Sequence, residues 1–98
     1  MTEEEFLAEG GIPLEIMTKE EDRLLMKVVE PIWKAGQFEI ISEERTKSIH
    51  EEFRKLGVEE AEATRLTRHF NAACKYMREM PPDEKKKLYK RFDEGFGL

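Results

Sequence analysis

The chain has 98 residues, which is enough for one modest hydrophobic core and for a single domain spanning residues 1–98. Charged residues make up 40% of the sequence and hydrophobic residues 39%, so most positions must face water and the core must come from narrow apolar stripes. We therefore expect no large internal substrate cavity. The formal net charge of −5 opposes long-range attraction to polyanions such as nucleic acids.

Cysteine content and hydropathy indicate the compartment. Cys74 is the only cysteine, which excludes an intramolecular disulfide framework and is typical of a reducing cytoplasm. The first residues include Glu3, Glu4 and Glu5, whereas a secretory signal peptide begins with basic residues. No apolar run approaches the roughly 18 residues that a membrane-spanning helix needs. The sequence predicts a soluble cytoplasmic protein that does not associate with a membrane.

Two helix starts are well marked in the first third of the chain. Thr2 with Glu5 matches the capping box, in which a hydroxyl and a carboxylate each bond a free amide of the first turn. Thr18 with Glu21 repeats the pattern. The second helix carries two adjacent apolar rows at a spacing of four, which predicts contact with more than one neighbour. Pro31 predicts a kink in it, or a break followed by a second short helix.

A short linker and a third helix are predicted next. In the linker, Phe38 and either Ile40 or Ile41 should point inward. Ser42 is a favourable N-cap residue, and Gly57 suits the left-handed conformation that ends many helices. The inward face of the helix between them is predicted to consist of Ile49, Phe53 and Leu56.

Two further helices complete the predicted fold, one from about Glu59 to Met80 and one from about Pro82 to Glu94. The apolar face of the last helix is thin. The sequence predicts an all-α fold, a small bundle of four to five helices with short loops, one of them kinked at Pro31. The predicted core consists of Leu24, Leu25, Val28, Val29, Ile32, Trp33, Phe53, Leu66, Phe70 and Met77.

No recognised catalytic or metal-binding motif is present. Neither His50 nor His69 follows a glutamate at the spacing of three that bundle metal sites use. The stretch beginning at His50 resembles the start of a zinc-protease helix, but Arg54 stands where the second histidine ligand belongs. Cys74 flanks the apolar stripe of its helix and is best explained as a small core residue. We expect no enzymatic activity, no cofactor and no metal.

Charge is distributed unevenly along the chain. Residues 1–64 hold 17 acidic and 8 basic side chains, a net charge of −9, whereas residues 65–91 hold 3 acidic and 9 basic ones, a net charge of +6. A basic face with interleaved aromatic residues can bind nucleic-acid phosphates and bases. The simpler alternative, which we favour, is that the basic residues pair with the acidic helices. The candidate nucleic-acid-binding residues are Arg65, Arg68, Lys75, Lys86 and Lys87.

Residues 49–58, followed by a helix, resemble the first helix and glycine turn of a helix-turn-helix module. The second helix of such a module begins with polar or basic residues that meet DNA. Here that helix begins with Glu59, Glu60 and Glu62, which would repel phosphate. The pattern does not assign the chain to that family.

We expect a non-enzymatic protein–protein interaction module, acting as a small cytoplasmic adaptor or accessory subunit. Its predicted docking residues are Leu88, Phe92 and Phe96 of the last helix, which would bind a partner or a second copy in a homodimer. The alternative for this end of the chain is that Phe96 and Leu98 fold back into the bundle. The alternative functions are a nucleic-acid-binding accessory protein that uses residues 65–91 and an inhibitor whose acidic residues 1–64 mimic a polyanion.

Overall fold

The computed structural model describes all 98 residues, from Met1 to Leu98. It contains five α-helices and no strand, and it measures 37 × 32 × 27 Å. The predicted all-α bundle is therefore confirmed. The helices are α1 (Glu3–Ala8), α2 (Lys19–Lys34), α3 (Glu43–Lys55), α4 (Glu60–Arg78) and α5 (Pro82–Gly95).

The predicted helix starts of α1, α2 and α3 form as expected. Both capping boxes are complete, with the Thr2 hydroxyl accepting from the amide of Glu5 and the Thr18 hydroxyl from the amide of Glu21. The Ser42 hydroxyl caps α3. These bonds satisfy backbone amides that the first turn of a helix leaves free. The capping residues therefore mark the helix starts in the sequence.

Helix α2 is continuous from Lys19 to Lys34 and contains Pro31 within its last turn. The ring of Pro31 faces solvent, and its carbonyl still accepts a bond from the amide of Ala35. The alternative of a break with a second short helix is therefore wrong. Packing of the apolar rows on either side of the proline holds the helix together across the missing amide.

The core lies around α4. Eight of the ten predicted core residues are buried, while Leu24 and Ile32 are partly buried and pack against the core. Phe53 of α3 and Leu66 of α4 are fully enclosed. None of the five helices is both long and apolar enough to cross a lipid bilayer.

The prediction that Leu56 points inward is wrong, since 41% of the residue is exposed. Gly57, with a φ of +86°, reverses the chain after α3 and brings Val58 into the core instead. The amide of Val58 bonds back to the carbonyl of Phe53, as in the glycine caps that place an apolar residue just beyond the helix.

The linker between α2 and α3 inserts only Phe38 into the core. Its ring lies 5.0 Å from Trp33 and 5.7 Å from Phe70, measured between ring centroids. Ile40 and Ile41 are exposed, so the prediction that one of them is buried is wrong. Phe38 already fills the space next to Trp33, and the chain then turns outward to begin α3.

Candidate functional site

The N-terminal segment, residues 1–17, lies along α4 in the opposite direction and is attached at several points. The terminal amino group of Met1 lies 3.3 Å from the Glu79 carboxylate, and Lys75 donates to Glu9 at 2.8 Å. Ile12, further along the segment, is buried. The contacts of Met1 and Glu9 therefore tie the first half of the segment to Lys75 of α4 and to Glu79, the residue that follows this helix.

Two consecutive glycines let the segment approach its neighbours closely. A Cβ on Gly11 would lie 2.4 Å from the ring of Phe6, which is closer than two carbon atoms can pack. Gly10 has a φ of +102°, and a Cβ there would lie 3.0 Å from the Cβ of Arg68. The absence of a Cβ at these two positions therefore lets the Phe6 ring of α1 pack on Gly11 and lets Gly10 lie against Arg68 of α4.

A buried histidine fixes the segment in the middle of α4. The amide of Ile12 donates to Nδ1 of His69 at 2.8 Å, so in the neutral ring the proton is on Nε2. Burial, together with the charge of Arg65, lowers the pKa of His69 below its usual value of 6.5. The neutral imidazole is therefore the form that accepts this bond near pH 7.

Between the N-terminal segment, α2 and α4 lies an open apolar groove of about 570 Å³. This volume falls in the range of small-molecule ligand pockets, and 14 of the 19 lining residues are hydrophobic. We call it the N-terminal groove. Its walls are formed mainly by Phe6, Leu7, Ile12, Leu14, Met17, Leu25, Met26, Val29, Phe38, Phe70, Ala73, Tyr76, Met77 and Phe92.

Two of the seven large apolar side chains that are exposed line this groove, and a third lies close to it in the sequence. Leu14 is 82% exposed and Leu7 is 44% exposed, and both line the groove. Ile16, in the turn that follows Pro13, is 61% exposed. A gathering of large apolar side chains around an apolar depression is a feature of surfaces that bind other molecules.

Polar groups at the groove are few, and the charged ones are all acidic. Glu3, Glu15 and Asp22 line it, no lysine or arginine does, and none of the three carboxylates takes part in an ion pair. His69 and Tyr76 also line the groove, and the Tyr76 hydroxyl makes no hydrogen bond. The groove therefore presents an apolar floor with a negatively charged edge.

The docking residues predicted on α5 do not form a free surface, because all three pack partly against the core. Phe92 stacks on Trp33 with a centroid distance of 4.9 Å, and Phe96 lies 6.3 Å from the same ring. Leu88 is also partly buried against the core. The Trp33 indole donates to Asp93 at 2.8 Å. Much of the apolar face of α5 is thus used within the chain, and docking or homodimer formation through it stays a prediction.

The sequence left open whether Phe96 and Leu98 fold back into the bundle or stay exposed, and the two residues differ. Phe96 folds back onto the bundle at Trp33, whereas Leu98 is 64% exposed.

The basic residues of 65–91 are partly neutralised by the acidic part of the chain. Arg65 pairs with Glu21 of α2 and lies 3.1 Å from Glu62, and Lys75 pairs with Glu9. Arg68 is exposed and makes no ion pair. Lys85 of α5 pairs with Glu39. Pairing within the bundle, the alternative that we favoured, therefore accounts for several of these cations.

Four cations on the outer face of α5 remain without an ion pair. All are exposed, and they include the candidate nucleic-acid-binding residues of this helix. The four are Lys86, Lys87, Lys90 and Arg91.

Arg45 is a structural residue that sequence reasoning missed. Its guanidinium group donates to the carbonyl of Phe38 at 2.8 Å and to Sγ of Cys74 at 3.0 Å. It also lies 5.2 Å from the centroid of the Phe70 ring. Arg45 therefore joins the linker to α4. No three His, Cys, Asp or Glu side chains lie in an arrangement that could hold a metal ion.

The N-terminal groove was also missed, because its signal is not periodic. Residues 12–17 include Ile12, Leu14, Ile16 and Met17 in a stretch that forms no helix of its own. So many apolar residues in a short non-helical segment indicate that the segment packs on something, although not on what. Comparisons with protein-family models, curated proteins and solved structures find no match for this chain.

Proposed function

We propose that this chain is a non-enzymatic protein–protein interaction module that docks a segment of another protein in the N-terminal groove. The observation that carries the proposal is the exposure of Leu7 and Leu14 beside an apolar groove of about 570 Å³. Burying such side chains against a partner is favourable by roughly 25 cal/mol per Å² of apolar surface. In keeping with the sequence-based expectation, we assign the module the role of a small cytoplasmic adaptor or accessory subunit.

The groove supports this role better than α5 does. Leu88, Phe92 and Phe96 already contact the core, and only Phe92 also lines the groove, so a partner that used this face of α5 would find less free apolar surface. Leu14 makes so little contact within the chain that 82% of it is exposed. A docking partner gains most from surface that the free protein leaves in water.

The proposal is tested by selecting peptides from a random display library on the immobilised protein and measuring their affinities for two variants. Leu14→Asp places a charge in the groove, while Leu98→Asp makes the same change at an exposed leucine that does not line it. We expect Leu14→Asp to weaken binding about tenfold or more, given the ~1.5–3 kcal/mol that a buried leucine contributes. Leu98→Asp should have no effect.

Both leucines are mainly exposed, so both variants should keep the circular dichroism spectrum and thermal midpoint of the unmodified protein. Selected peptides that bind both variants equally well would contradict docking in the groove.

A second candidate function is nucleic-acid binding through the outer face of α5. The observation in its favour is that Lys86, Lys87, Lys90 and Arg91 are exposed and unpaired. Each phosphate that these residues neutralise would add about 0.7 to 0.9 to the slope of log affinity against log salt. Micromolar binding to DNA or RNA that weakens steeply with salt, and that Lys86→Glu with Lys87→Glu abolishes, would support this function over protein docking.

A further inference from the structure

We propose that the segment docked in the N-terminal groove is apolar in its centre and carries lysine or arginine residues at its flanks. This inference rests on the proposed function and adds the chemistry of the partner. It is argued from the charges at the groove, from the position of one glutamate and from the consequence of pairing two such grooves.

The edge of the groove carries charge of one sign only. Glu3, Glu15 and Asp22 line it, and no cation of the chain neutralises any of them. Elsewhere, Glu9, Glu21 and Glu39 each pair with a basic residue of α4 or α5. Complementary charge at the edge of a docking site selects partners and speeds their association, so the open carboxylates favour a basic segment.

Stabilisation of a helix start can explain two of the three carboxylates, but not Glu15. Glu3 lies in the first turn of α1, where a negative charge stabilises the helix, and Asp22 lies near the start of α2. Glu15 lies in the turn between these helices, where no helix start gains from its charge. Its carboxylate is exposed and unpaired beside Leu14, so it is free to meet a cation of the partner.

Two copies of this chain paired groove to groove are a poor arrangement. Such a dimer would bring the two acidic edges together. The like charges of Glu3, Glu15 and Asp22 would then repel across the interface. An apolar segment with basic flanks gains from the floor and from the edge together.

The test uses peptides selected on the unmodified protein, each prepared in three forms whose flanking residues are lysine, glutamine or glutamate. We expect lysine flanks to bind most tightly and glutamate flanks least tightly, with the difference shrinking as salt screens the exposed charges. Equal affinity of the three forms would overturn the basic-partner inference, and docking in the groove would stand. Loss of discrimination between the Leu14→Asp and Leu98→Asp variants would instead overturn the docking function itself.

Two charge-reversal variants test whether the preference for lysine flanks arises at the groove. We expect Glu15→Lys to weaken binding of the lysine-flanked form about three- to fivefold, the size of one or two exposed ion-pair interactions, and to leave the glutamine-flanked form unchanged. Glu51→Lys makes the same change in net charge on α3, no residue of which lines the groove. Equal weakening by both variants would mean that overall charge, and not the edge of the groove, sets the preference, and would overturn the inference.

Discussion

Cys74 shows how the packing around one side chain determines its chemistry. It is fully enclosed in α4, and this burial raises the pKa of its thiol to about 11, because a thiolate there would lose its hydration. The Arg45 guanidinium, which donates to Sγ at 3.0 Å, opposes the shift but is outweighed. The residue is a buried part of the core, and the thiol stays protonated near neutral pH.

We therefore expect the native protein to resist alkylation by iodoacetamide. A pKa raised from 9.0 to about 11 lowers the thiolate fraction roughly 100-fold, and the closed core adds to this by excluding the reagent. Mass spectrometry after timed exposure at neutral pH measures the modified fraction, and the protein in guanidinium chloride provides the reactive control. Alkylation of the native protein as fast as that of the unfolded chain would show that Cys74 is accessible.

At the scale of elements, the N-terminal segment and α4 are joined by the bond from the Ile12 amide to His69. Burial lowers the pKa of His69, Arg65 lowers it further, and Glu21 acts in the opposite direction. The unfolded chain therefore takes up a proton at higher pH than the folded one. The stability that neutral His69 contributes is fully present above about pH 6.5 and is lost as the pH falls below that value.

We expect the free energy of unfolding to decrease between pH 7 and pH 5, and His69→Gln to remove the part of this decrease that comes from the histidine. At pH 7 the same variant should be destabilised by about 1–3 kcal/mol if the buried Ile12 amide loses its acceptor. Urea titrations at several pH values measure both effects. His50→Gln is the control, because the His50 ring bonds to Glu60 and Thr64 and not to the N-terminal segment. A His69→Gln protein with the full pH dependence of the unmodified one would contradict this role.

Local signals in the sequence predicted the helices well and their tertiary contacts less well. The threonines and Ser42 located helix starts because capping depends on residues only three positions apart. Leu56 was misplaced because Gly57 ends the helical period just there and brings Val58 inward. Of the two outcomes predicted at Pro31, the break does not occur, since α2 continues through the proline with core residues on both sides of it.

The groove lay beyond such reasoning for a physical reason. The N-terminal segment is held by contacts such as Ile12 with His69, whose partners are 57 positions apart and follow no period. The candidate site on α5 was predicted from the spacing of Leu88 and Phe92, which is equally consistent with packing on Trp33 and with docking a partner. Spacing identifies an apolar face, but tertiary packing decides what covers it.

At the scale of the whole molecule, ion pairs neutralise part of the charge and leave two different surfaces open. The ion pairs Arg65 with Glu21, Lys75 with Glu9 and Lys85 with Glu39 connect the basic and acidic parts of the chain. What remains open is an apolar groove with an acidic edge and, on α5, an outer basic face. Because these two surfaces lie on different elements, one experiment can show which of them binds a partner segment.

That experiment is chemical-shift mapping of the isotope-labelled protein titrated with a selected peptide. We predict that the largest amide shifts fall on the N-terminal segment and on the groove walls of α2 and α4, including Leu14, Met26 and Tyr76. The amides of Lys86, Lys87 and Lys90, on the outer face of α5, should change little. Shifts concentrated on α5, with the groove residues unaffected, would contradict the account.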